Sequence, residues 1–122
     1  MAGFESEFHV VVLKEPRLLY RGCFGADRVD EALKSNYENG RNPHPADLRA
    51  TVLHMAVSMF EDKDLVLHLA RRRPDRIGDH VATIELQPGF GVCVADTGGP
   101  GHWSVWGRAT QLLEFVTDIE RA

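Results

Sequence analysis

The stretch His80-Val81-Ala82-Thr83-Ile84-Glu85-Leu86 constrains this chain most. It alternates with the two-residue period of a β-strand, with Val81, Thr83 and Glu85 on one side and Ala82, Ile84 and Leu86 on the other. Gln87-Pro88-Gly89 then supplies a turn. A second strand is expected over residues 91–96, a tight loop at Thr97-Gly98-Gly99-Pro100-Gly101, a third strand over 102–106, and a last one over 112–119. Connections this short join antiparallel neighbours, because a parallel crossover needs a dozen residues or more.

The first half is mixed. Residues 8–14 form a β-branched apolar run that reads as a strand, ended by Glu15-Pro16, and 18–23 read as another. Asp27 is placed to cap a helix over 28–37, with Val29, Ala32 and Leu33 on one face and Asn39-Gly40 as the stop. Arg41-Asn42-Pro43-His44-Pro45 is a loop by virtue of its prolines. Leu48, Val52 and Leu53 match helical spacing over 46–54, and 55–60 can continue that helix or form a short strand. Asp62 can cap a helix over 63–72, with Leu65, Leu69 and Ala70 inward, closed by Pro74. Strands, then helices, then strands describe an α+β domain: a mixed or mainly antiparallel sheet with two or three helices on one face.

The totals agree with one domain spanning residues 1–122. A 43% hydrophobic and 26% charged composition is that of a globular chain. The net charge of −4 argues against nucleic-acid binding driven by bulk charge, leaving Arg71, Arg72, Arg73 and Arg76 as a local basic patch. Cys23 and Cys93 lie in apolar surroundings and are expected as free thiols, not as a disulfide framework. No apolar run reaches membrane-spanning length, and the acidic N-terminal stretch is unlike an export signal. A cytoplasmic location is the resulting expectation.

Standard motifs are missing: no phosphate-binding loop, no C-x-x-C, no H-E-x-x-H and no G-x-S-x-G. The histidines show no metal-ligand spacing, so no metal site is expected. Four places carry useful chemistry. Arg21, followed by Gly22, can present a rigid fork to phosphate or carboxylate, or simply form a structural ion pair. Ser58 lies in an apolar run and needs a hydrogen-bond partner if buried. In Gly98-Gly99-Pro100-Gly101-His102-Trp103-Ser104-Val105-Trp106, His102 can act as acid or base and Trp103 or Trp106 can stack on a ring; a plain turn with core tryptophans reads equally well. Tyr37, with Ser35, Asn36, Asn39, Gly40 and Arg41, can line a pocket. Glu114 is a further carboxylate, expected inside the last strand.

The order Leu19-Tyr20-Arg21-Gly22, then Val57-Ser58-Met59-Phe60 before a helix, then the 80–86 strand, resembles small ADP-ribosyltransferase-like domains. The resemblance implies NAD as cofactor, Arg21 on its phosphates, Ser58 supporting the nicotinamide site, and Trp103 or Tyr37 stacking on a ring. It also implies a late glutamate that polarises the ribose. No Glu-x-Glu precedes the last strand here, so His102, Ser104 or Glu114 would take that role. The expected function is accordingly that of an NAD-handling modifying enzyme of bacterial-toxin type, with a small-molecule nucleotide as ligand. The alternative is a non-enzymatic interaction module, such as an immunity, adaptor or homodimeric assembly protein.

Overall fold

A computed structural model describes residues 9–41 and 52–122. Its strands are β1 (Val11–Val12), β2 (Arg17–Cys23), β3 (Val57–Phe60), β4 (His80–Leu86), β5 (Cys93–Asp96), β6 (His102–Trp106) and β7 (Val116–Arg121). The helical elements with full bounds are α1 (Val29–Ala32), α2 (Lys63–Arg72), α3 (Pro74–Ile77) and α4 (Ala109–Leu113). The strands form one sheet in the order β1-β5-β6-β3-β2-β4-β7, and each pairing is antiparallel. This is the α+β architecture that the strand periodicity and short connections imply. No helix among the described residues is long and apolar enough to cross a membrane.

The sheet buries apolar side chains on both faces. Leu19, Met59, Ile84, Leu86, Val94 and Val105 project toward one face, where Val29 and Leu33 from the α1 segment and Ala109 and Leu112 of α4 close the main core. On the other face Tyr20, Phe60 and Val81 pack with Val66, Leu67 and Ala70 of α2. The helices therefore divide between the two faces, where the sequence reading gathers them on one. The strand alternation holds the reason: Ala82, Ile84 and Leu86 need cover on one side and Val81 on the other.

Helix α2 has the expected bounds, and Asp62 caps it by accepting from the Leu65 amide at 3.2 Å. Its inward set is Val66, Leu67 and Ala70, while Leu65 is exposed. This one-residue rotation places the apolar stripe against Tyr20 and Phe60. Pro74 ends α2 and begins the single turn of α3, which suits its fixed φ. Residues 57–60 are strand, with Val57 and Met59 buried in alternation. The helix expected over 28–37 shortens to Val29–Ala32 and is followed by turns; its N-cap is Arg28, without a side-chain cap. The first strand contracts to Val11–Val12. Residues 42–51, covering Pro43, His44, Pro45 and most of the helix expected over 46–54, lie outside the described residues.

The last strand needs a correction. Residues 109–113 are helical, and β7 begins at Val116. Ala109 and Leu112, three apart, enter the core together from one helix face, and Phe115 follows them. Glu114 consequently sits at the C-cap of α4 and not within a strand.

Candidate functional site

Strand β2 is held very differently along its two edges. Toward β4 it forms a ladder over its whole length, from Arg17↔Leu86 to Cys23↔His80. Toward β3 it forms one residue pair, Tyr20↔Phe60. Beyond that pair the strands part, and Arg21 bridges them. Its Nε donates to the Ala32 carbonyl and its Nη1 to the Ser58 carbonyl at 2.8 Å. The charge-assisted bond to Ser58 spans the gap to β3, and the one to Ala32 ties β2 to the end of α1. Arg21 and Ser58 are thus brought together, although the serine contributes its main chain while its side chain faces outward.

The parting of β2 and β3 opens a cavity of about 640 Å³, a volume within the roughly 300–1,000 Å³ usual for small-molecule sites. Arg21 and Gly22 line it from β2, and Phe24 from just beyond that strand. Arg28, Glu31, Ala32, Lys34, Asn36, Asn39 and Arg41 line it from α1 and the turns that follow. Phe60, Val66, Leu69, Arg76 and Ile77 line it from β3, α2 and α3. The cavity lining combines charged and apolar side chains.

Its charge is opposite to that of the chain. Five cationic side chains, Arg21, Arg28, Lys34, Arg41 and Arg76, face one carboxylate, Glu31, in a protein of net charge −4. Glu31 is already engaged by Arg28 at 2.7 Å. Among the described residues Arg21 has only neutral carbonyls for partners, and burial lowers its pKa from the ordinary arginine value. A desolvated cation without a carboxylate partner leaves a local field that favours an anion.

The glycine loop builds a different cluster. The His102 Nδ1 donates to the Thr97 carbonyl at 2.7 Å, and the Thr97 hydroxyl lies 2.8 Å from the buried Ser104 hydroxyl. This assigns the ring proton to Nδ1 and leaves Nε2 as the acceptor of the neutral imidazole. Gly98 must be glycine: it has φ +69°, and a Cβ there would lie 2.7 Å from the His102 ring. The His102 ring meets Phe60 edge-on, with centroids 5.0 Å apart, so Phe60 connects this cluster to the cavity.

The other candidates stand apart from the cavity lining. Trp103 donates from Nε1 to Glu61 at 2.6 Å, and the Arg17 guanidinium lies 4.0 Å from its ring centroid. Tyr37 is 61% exposed on the turn after α1. Glu114 borders a shallow depression with Arg108, Thr110 and Gln111. Of the basic patch, Arg76 enters the cavity, Arg73 reaches Asp75 at 4.0 Å, and Arg71 and Arg72 end α2. Cys23 and Cys93 are free thiols; burial raises the pKa of Cys23, with Asp79 adding to the rise and Arg21 opposing it.

Sequence reasoning singled out Arg21 but missed Arg28, Lys34, Phe24 and Arg76 as its neighbours. Only the cations carried a signal, and solvated surface residues carry the same one. Among the described residues, no group of three or more His, Cys, Asp or Glu side chains is disposed to hold a metal ion. No family model, curated protein or solved structure matches this chain.

Proposed function

We propose that this chain binds a phosphate-bearing nucleotide in the cavity between β2, α1 and α2, with NAD as the ligand to test first. The carrying observation is the Arg21 guanidinium at the parted seam, lining the cavity with Arg76 and, among the described residues, without a carboxylate partner. Phe24 and Phe60 offer rings beside it, and a phosphate next to an aromatic platform is the pairing that nucleotides satisfy. The ADP-ribosyltransferase-like resemblance motivates NAD in particular, and the contact of Arg21 with the Ser58 main chain supports testing the two together. Transfer chemistry belongs to the same proposal, with His102 Nε2 as its acid–base group, near the cavity through Phe60. Cytoplasmic NAD would be the natural source of ligand.

The test is thermal unfolding with millimolar NAD, ADP-ribose and inorganic pyrophosphate, repeated on Arg76→Ala and Phe60→Leu. A ligand that binds only the folded chain stabilises it by about 2.7 kcal/mol at a hundred times its Kd. A rise in Tm with NAD that shrinks in both variants supports the reading. An unchanged Tm with all three ligands removes it.

A second reading has its own observation. Val11 and Val12 of the edge strand β1, and Val10 just before it, are exposed at 52%, 55% and 45%, and β1 pairs with β5 along one side. An apolar edge of this kind suits strand addition by another copy of the chain, as in a homodimeric assembly protein. Sedimentation of a Val11→Lys variant tests it: a dimer that becomes monomeric supports it, and a monomer in both forms rejects it.

A further inference from the structure

Resting on the reading of the cavity as a nucleotide site, we propose that the turn after α1 forms a second anion subsite, so that the preferred ligand carries a further phosphate apart from the one at Arg21. The ligand class is a nucleoside bisphosphate, or a dinucleotide bearing an extra phosphate ester.

The argument begins with Ser35 and Glu38. The Glu38 amide donates to the Ser35 hydroxyl at 3.2 Å, and the Ser35 amide donates to Glu38 Oε1 at 3.2 Å. This is the reciprocal pattern of a capping box. The second carboxylate oxygen of Glu38 accepts from the Ala109 amide at 3.2 Å, which ties the turn to α4. Main-chain bonds from Asn39 to Ser35, from Gly40 to Tyr37 and from Arg41 to Asn36 complete it. Ser35 is buried, so the turn is anchored from beneath.

That anchoring has an electrostatic consequence. The acidic groups nearest in sequence are Glu31 for Lys34 and Glu38 for Arg41; Glu31 is engaged by Arg28, and both Glu38 oxygens accept main-chain amides. Among the described residues Lys34 has no ion pair, and the Arg41 guanidinium has only a 3.5 Å contact from Nη1 to Asn36 Oδ1. Both cations line the cavity together with the amide side chains of Asn36 and Asn39. Two unpaired cations and two amides on a rigid turn make a donor set suited to a phosphate dianion.

This set is separate from Arg21. Arg21 is fixed at the parted seam by the carbonyls of Ala32 and Ser58, whereas Lys34 and Arg41 are exposed and lie beyond the end of α1. On this proposal one phosphate sits at Arg21 and a second engages Lys34 and Arg41.

The experiment is calorimetric titration with adenosine 5′-monophosphate, the 2′,5′- and 3′,5′-bisphosphates, NAD and NADP. It is run on the wild-type chain, on a Lys34→Gln, Arg41→Gln double variant, and on Lys14→Gln, a cation outside the cavity. At least one extra-phosphate ligand is expected to bind about tenfold more tightly than its parent, a ratio that falls as salt rises. The ratio collapses toward one in the double variant and persists in Lys14→Gln. Parent nucleotides that bind with no preference for the extra phosphate overturn this inference and leave the nucleotide reading standing. So does a preference that survives in the double variant. Failure of every nucleotide to bind overturns both.

Discussion

The two edges of β2 show how the same strand can be rigid on one side and receptive on the other. Its β4 edge is zipped from Arg17 to Cys23 by main-chain pairing. Its β3 edge has one aligned pair and a side-chain bridge from Arg21. Main-chain ladders satisfy their own polar groups and leave no room for a ligand. Where side chains substitute for the ladder, a cavity opens and charged donors line it. Glycines permit close approach on both sides: Gly22 lets α3 pack beside the cavity, where a Cβ would meet the Ile77 carbonyl at 2.3 Å, and Gly78 lies against Cys23 at the end of the zipped edge, where a Cβ would meet its carbonyl at 2.1 Å.

The severest way to break this contrast is Gly78→Ala. The residue has φ +108°, and its added methyl would collide with the Cys23 main chain. Strain and overlap together should destabilise the fold by about 3 kcal/mol or more in urea unfolding. A loss below about 1 kcal/mol would show that the zipped edge is softer than described.

Arg21→Met attacks the other edge. It strips the donors from the Ala32 and Ser58 carbonyls and should cost roughly 2–3 kcal/mol. Hydrogen exchange should show β3 losing protection before β4, and equal losses in both strands would contradict the contrast. Arg21→Lys should recover part of the stability at most, because one ammonium cannot reproduce the fork.

Ser35→Ala sharpens the comparison at the cavity rim. Loss of the bond from the Glu38 amide to the Ser35 hydroxyl should cost about 1 kcal/mol and loosen the turn that carries Lys34 and Arg41. An unaltered Tm would mean that the turn is held by its main chain alone.

The smallest effect belongs to acid. Asp79 accepts from His80 Nδ1 at 2.8 Å and from the Gly25 amide at 3.0 Å. The His80 bond chiefly, and then the Gly25 amide, hold its carboxyl below the usual range. A depressed folded pKa contributes stability above the unfolded value, about 3.9, and that contribution is lost as pH falls through and below it. Asp79→Asn should therefore flatten the fall of Tm between roughly pH 4.5 and 2.5. A wild-type slope that persists in the variant would assign the acid sensitivity to other carboxylates.

Much of the fold was legible because strand signals are local. The bounds of β4 and β6 follow from alternation and flanking glycines, and those of α2 from Asp62 and Pro74. What misled was also local. Leu112 to Ile119 has strand-like composition, yet Ala109, Leu112 and Phe115 find a core that accepts a helical turn first. Arg21 was recognisable as a fork-bearing arginine beside a glycine. Its partners were not, because Ala32 and Ser58 contribute carbonyls, which every residue possesses.

By itself the sequence determined the strands at 80–86 and 102–106, where α2 starts and stops, and that no bulk positive charge is available. Periodicity, capping and composition act over a few residues and can be read there. Only the tertiary structure decided that β2 would zip to β4 and part from β3. It alone gathered five cations from four separate segments around that parting. Strand pairing and charge convergence depend on contacts between residues far apart in the chain, and no local pattern encodes which distant partner a strand edge or a guanidinium will meet.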